Sequence, residues 1–477
     1  MDTAEAISTG SALPAQRTDA FGQKRVSLWA IVSLAAPFLA SSAVQMVLAL
    51  TDTWFIGHIS TSALAAMAAI QLPIVAIFSL FSGVGLGGQT IVAQAFGGGR
   101  HKRAAQAAWT GVWASMFIAP AFAVIGWYGH DILRPFGLDP EVEALAIKFW
   151  QTYMIGAPLG VAVSSVLGFF NGVGQPRITF AVVAFVATSN AVLAPLFIFK
   201  LGWGIGGAAW ATNCAQALGL VAALYIFMSP KISCIFFSRL MWRLRAERLW
   251  SQWKLGFPMG LLFAANALGS ALFQLMQVHL SPVDGAASQV VVMFVMIGFM
   301  PAAGIAIAGS TLVGQSIGMG DRSWARKIGN TIILICMSYM GCVGLLLGLC
   351  SPWLIPMFVS ATDPLAPDVV RVGVTIMWIA AAYQFFDGLQ VGSSFCLRGA
   401  GDAVIPAGYV IVLSWFFFVP FAHMLTFERG SGWVDWLPQF GLGVTGGWIA
   451  ALSHMAALGV VLALRWHSPA WENIRLR

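Results

Sequence analysis

Runs of twenty or more mostly apolar residues, separated by short polar or Gly- and Pro-rich stretches, recur from one end of the chain to the other. A helix rises about 1.5 Å per residue, so about 20 such residues cross a hydrocarbon core of about 30 Å. The pattern predicts twelve spans, at 27–54, 63–95, 105–128, 144–171, 178–199, 205–228, 252–280, 286–314, 328–350, 370–397, 404–426 and 441–465. The expected fold is an all-α integral membrane protein.

Charge is sorted between these spans. With both ends cytoplasmic, the inner connections and tails collect 20 of the 25 Lys and Arg residues. Among them are Arg100, Lys102, Arg103, Arg177, Arg398, Arg465, Arg475, Arg477 and a cluster from Arg239 to Arg248. Only Arg134, Lys148, Lys200, Arg371 and Arg429 fall on the other side, beside acidic residues that include Asp131, Glu141, Asp363 and Asp435. The positive-inside rule favours this orientation and an even number of spans. The expected organisation is a cytoplasmic tail without regular structure (1–26), six spans (27–228), a basic cytoplasmic linker (229–251), six more spans (252–465) and a cytoplasmic tail (466–477). The linker's charges would set orientation and meet anionic headgroups.

Composition narrows the function classes. Hydrophobic residues make up 59% of the chain and charged residues 9%, with mean hydropathy +0.82; a soluble domain carries about 25% charge. The net charge of +7 is spread over loops rather than gathered on a soluble face, so no nucleic-acid partner is expected. The first 26 residues lack the apolar stretch of a signal peptide. Six cysteines without CxxC spacing suggest neither disulfides nor a zinc site.

The chain also repeats itself. A shift of 221 places Pro37 on Pro258, Phe78 on Phe299 and Gly83 on Gly304 without a gap. It also sets Val92-Ala-Gln94-Ala-Phe-Gly97 on Val313-Gly-Gln315-Ser-Ile-Gly318. With a small change of offset, Gly172-Val-Gly174 meets Gly399-Ala-Gly401. Two six-span copies of equal sidedness should form two homologous lobes related by a pseudo-two-fold axis along the membrane normal, which suits a transporter. A phosphate-binding loop of an ATPase is not visible, so transport would be driven by a gradient.

Two carboxylates lie well inside apolar sequence, Asp52 near the outer end of the first span and Asp387 in the middle of the tenth. An ionised carboxylate there is costly unless hydrated, paired or protonated, so each is a candidate proton or cation site. The alternatives are an Asp387 that caps a break near Gly388, and an interfacial Asp52 between Thr51 and Thr53. Gln45, Asn190, Thr212, Asn266, Gln274 and Tyr383 are polar candidates that could equally bridge helices. His423 and His454 could titrate near neutrality, but neither has an acidic neighbour at helical spacing. No Arg or Lys is expected deep inside any span.

Several stretches together resemble the multidrug and toxic compound extrusion (MATE) family. They are Thr51-Asp52-Thr-Trp-Phe-Ile-Gly57, Val92-Ala-Gln94-Ala-Phe-Gly97, Asn190-Ala-Val-Leu193, Gly206-Gly-Ala-Ala-Trp-Ala-Thr212, Phe257-Pro258, Asp387-Gly-Leu-Gln390 and Leu397-Arg398-Gly-Ala-Gly401. The resemblance runs from 27 to 465 and is to the bacterial type, which implies residence in the inner membrane. It implies two lobes around a V-shaped cavity and export of small organic compounds against inward proton or sodium flow. Asp52, Asn190 and Thr212 look like the ion site of the first lobe and Asp387 like the carboxylate of the second. Asn266, Gln274, Tyr383 and Gln45 are then substrate-cavity candidates. Where members often carry a second acid, this chain has Ala194, and where sodium-associated members carry Glu it has Asn266. With so few oxygen ligands, protons are expected as the coupling ion over Na+ at Asp52 or Asp387. No other cofactor is implied, and two fused lobes could work as a monomer. A lipid-linked saccharide flippase would need a strongly cationic cavity, and a membrane-embedded transferase a convergent His or Asp cluster.

Overall fold

The computed structural model describes residues 13–18, 23–134, 137–359, 364–434 and 436–474. Arg475, Arg477, Asp363, Asp435 and most of the first tail lie outside the described residues. Among the described residues, twelve helices are long and apolar enough to cross a membrane. The first six are α1 (Leu28–Gly57), α2 (Thr61–Gly97), α3 (His101–Trp127), α4 (Pro140–Gly172), α5 (Pro176–Lys200) and α6 (Ile205–Phe227). The second six are α7 (Ala246–Leu280), α8 (Pro282–Gly318), α9 (Arg322–Phe358), α10 (Ala366–Ala400), α11 (Val404–Thr426) and α12 (Gly443–His467). Most outrun their apolar cores, because polar caps such as Ser60, Asp139 and Ser281 start the helix in the aqueous flank and satisfy free N–H groups there.

The duplication is written into the packing. α2 lies along α7, and α1 lies along α8, with α2 and α8 touching between them. Gly83 of α2 faces the backbone of Gly256 and Gly260 on α7, while its repeat-mate Gly304 of α8 faces Leu39 of α1. Small residues let helices approach closely where lipid supplies no hydrophobic drive.

At the end where α2 and α8 finish, hydrogen bonds cross between the halves in matched pairs. The Thr90 hydroxyl donates to the Arg398 carbonyl at 3.1 Å, and the Thr311 hydroxyl to the Asn171 carbonyl at 3.2 Å. One step further along, Gln94 and Gln315 bond to the carbonyls of Gly399 and Gly172. This end carries the basic connections and is closed.

Three regions differ from the expectations. Part of the first tail forms two short antiparallel strands, β1 (Gln16–Thr18) and β2 (Lys24–Val26), whose neighbour Pro14 accepts a bond from Trp324 of α9. The stretch after α6 contains a short helix, Pro230–Phe236, and α7 already begins at Ala246. After α12, Trp471 stacks on Trp466 at 4.6 Å and Glu472 pairs with Arg326. Indole and guanidinium groups supply the local docking that a span-level reading does not weigh.

Candidate functional site

A cavity of about 500 Å³ opens within the second half, bounded by α7, α8, α10, α11 and α12, with Leu72 of α2 on one side. Its wall is largely aromatic and aliphatic, the composition that suits small organic molecules. Into it come Asn266 and Gln274 from α7 and Tyr383, Asp387, Gln390 and Ser394 from α10. The α10 residues recur every three or four positions, which puts them on one face of that helix.

Asp387 is 5% exposed and, among the described residues, has no hydrogen bond or ion pair. It is the one carboxylate among the residues that line the cavity. A buried carboxylate is normally paired or richly hydrogen-bonded, so one left to a cavity is available to a proton, a cation or a ligand. α10 continues unbroken past Gly388, so Asp387 caps no break there, and the glycine lets α10 press against the Cys336 carbonyl of α9.

The polar candidates of the first half sit elsewhere. Asn190 on α5 donates to the Thr212 hydroxyl on α6 at 3.1 Å, and Thr212 donates to the Ala208 carbonyl at 3.2 Å. The Oδ1 of Asn190 is buried without a partner among the described residues. Asp52 is half-buried near the end of α1, which packs on α5; no bond joins it to the Asn190–Thr212 pair. Gln45 is exposed on α1 and does not line the cavity.

Two placements go beyond what spacing along the chain indicated. His454 of α12 lines the same cavity as Asp387, stacks on Phe418 at 4.8 Å and lies 3.3 Å from the Ser414 hydroxyl. Ser414 sits in a wide i→i+5 turn of α11, Leu413–Phe418, a geometry that recurs at functional sites. Helical spacing along one chain segment could not reveal a neighbour on another helix. His423 instead accepts from the Val434 N–H at 3.2 Å in the loop beyond α11. The second is Arg398, expected in a connection. It belongs to the last turn of α10 and is buried. One guanidinium at the foot of the cavity still falls short of the strongly cationic site that a pyrophosphate would need.

The MatE family model matches residues 37–196 and again 258–424, one copy on each half. This chain therefore belongs to the MATE family. It is 25% identical to a probable multidrug resistance protein NorM of Brucella suis, over 91% of this chain and 92% of that one. It is 28% identical to the protein of the same description in Pseudomonas putida, over 85% of this chain and 89% of that one. Its fold matches a structure described as the outward-facing conformation of a multidrug resistance MATE family transporter, with TM-score 0.80 and 19% identity over 93% of this chain and 96% of that chain. As a MATE protein it is a multi-pass membrane efflux transporter and not an enzyme.

Proposed function

We propose that this MATE protein exports small organic, often cationic compounds in exchange for protons entering the cell, by alternating access between its two halves. The observation that carries the reading is Asp387, buried and unpaired in the wall of a roomy aromatic cavity. When ionised, its carboxylate attracts an organic cation; when protonated, it no longer does. Coupling follows because proton and substrate favour different charge states of one group. Protons are preferred to sodium because hard cations take several oxygen ligands and the cavity brings one carboxylate.

In this reading Asp52, Asn190 and Thr212 form a second ion-responsive site in the first half. The closed, basic end faces the cytoplasm of a bacterial cell, with both termini there and 229–251 joining the halves. The outward side is then the one from which Asp387 takes its proton. A monomer suffices, because each half supplies its own site.

The test is efflux of a fluorescent cationic dye from proteoliposomes under an imposed proton gradient and then a sodium gradient. Proton-driven efflux in the wild type that is lost in Asp387→Asn supports the reading. Efflux by Asp387→Asn at the wild-type rate would sink it, and efflux driven by sodium alone would replace the coupling ion.

A further inference from the structure

Beneath the cavity, α10 carries polar side chains that export does not use. From Asp387, the face continues through Gln390, Ser394 and Arg398 to Asp402, just past the end of the helix. Asp387, Gln390 and Ser394 line the large cavity, whereas Ser394, Arg398 and Asp402 line a second pocket of about 20 Å³. The two cavities share Ser394, Phe395, Leu262 and Phe263, so they meet. The lower one is large enough for about one water. Below it Asp402 pairs with Arg465 at 2.8 Å, and Arg465 is partly exposed at the basic end. A file of polar side chains, with two adjoining cavities along it, thus lies between Asp387 and that end within one half of the molecule.

Arg398 is the exceptional member of this file. It is 6% exposed, and its Nε and one Nη have no hydrogen-bond partner among the described residues. The Phe395 ring lies 4.3 Å from the guanidinium. The facing residues, Met259 and Phe263 of α7 and Pro406 of α11, bring no charge. The one carboxylate among the residues lining this pocket, Asp402, is bonded to Arg465. A guanidinium keeps its proton inside proteins, so this is a fixed positive charge beside a one-water constriction.

An exchanger has to prevent its driving ion from crossing without substrate. With the cavity accessible from one side and this file reaching the other, Asp387 would short-circuit the gradient unless something opposed cations. A fixed cation in surroundings of low dielectric does so by Coulomb repulsion, as charged constrictions do in selective pores. We infer that Arg398 is an electrostatic barrier that stops protons or metal cations from passing between Asp387 and the cytoplasmic end, so that the ion crosses only with the conformational change. The inference rests on the reading of Asp387 as the ion site.

The experiment measures proton entry into proteoliposomes holding a pH-sensitive dye, without substrate, under a potassium diffusion potential. Wild type and Arg398→Lys should be tight. Arg398→Gln should leak protons about tenfold faster or more, the ratio for a barrier lowered by about 1.4 kcal/mol. Met259→Glu, which leaves Arg398 in place but sets a carboxylate opposite it, should leak as well and serves if Arg398→Gln does not fold. Adding Asp387→Asn to either leaky variant should restore tightness. Folded variants as tight as wild type would overturn the inference, and so would a leak that survives Asp387→Asn. Dye exchange by the wild type, measured in parallel, separates the two readings. No exchange together with a leaky Arg398→Gln would sink proton-coupled export and leave the barrier, whereas exchange with a tight Arg398→Gln would sink the barrier alone.

Discussion

Gln94 and Gln315, 221 positions apart, close the molecule on itself with the same bond made twice. Gln94 Nε2 donates to the Gly399 carbonyl at 3.1 Å, and Gln315 Nε2 to the Gly172 carbonyl at 2.9 Å. The carbonyls belong to the ends of α10 and α4, so each glutamine ties its own half to the opposite one. In the alternating-access reading proposed above, both bonds break when this end opens.

Gln94→Ala and Gln315→Ala should therefore have matching effects. Each removes a bond worth about 1 kcal/mol, which shifts the population toward an open basic end about fivefold. Thiol labelling of a cysteine introduced at Ala93, which is buried against Gly314 in this closed state, would report the opening in a background freed of the exposed Cys234 and Cys342. An effect confined to one of the two variants would contradict a symmetric latch.

Gly318→Val should prevent closure altogether. A Cβ at position 318 would collide with the carbonyl of Gln94, and one at its repeat-mate Gly97 with the carbonyl of Gln315. Backbone cannot yield as a flexible side chain does, and overpacking costs about 1–3 kcal/mol. The expected result is normal helical circular dichroism with export lost. Wild-type efflux would show that the two helix ends never need to meet.

Asn190→Leu separates stability from function. The Oδ1 of Asn190 is buried without a partner, and an unsatisfied polar atom costs about 1–3 kcal/mol. Removing it should leave Tm unchanged or higher while proton-driven efflux falls about tenfold or more. Full efflux would remove Asn190 from the ion-responsive site.

Asp321 gives a pH dependence of known sign. Its carboxylate caps α9 by accepting from the Trp324 N–H and the Ser323 hydroxyl, both at 2.8 Å. These bonds, that of the Trp324 N–H foremost, hold the carboxyl below its ordinary value. The cap's stabilisation is therefore present above the ordinary carboxylate range and lost as pH falls through the folded-state value. Asp321→Ala should lower stability by about 1 kcal/mol at pH 7. The difference in Tm from wild type should shrink on acidification below the ordinary carboxylate range; an unchanged difference would argue against the cap.

Much of the fold could be read along the chain because lipid imposes it. Every backbone group in a bilayer needs an internal partner, so an apolar run of this length has almost no option but a helix. The run-and-break pattern yields the twelve helices, and the 221-residue repeat already matches Gln94 with Gln315 and Gly83 with Gly304. Asp387 stood out because a lone carboxylate in apolar sequence is expensive wherever the helix is placed.

What the sequence determined by itself was thus whatever depends on neighbours within one helix: span number, sidedness of charge, duplication and the anomalous carboxylates. Tertiary structure decided what depends on neighbours between helices. It brought Asn266, Tyr383 and His454 to the cavity of Asp387, left Gln45 off its wall, and buried Arg398. Hydropathy counts Arg398 as the edge of a span, since it follows the last apolar residues of α10. Only the packing of α7 and α11 around that edge turns a connection residue into a buried cation. In lipid, helix formation is a local requirement of the backbone, but helix association follows from the shapes and bonds of particular side chains, which a one-dimensional pattern does not carry.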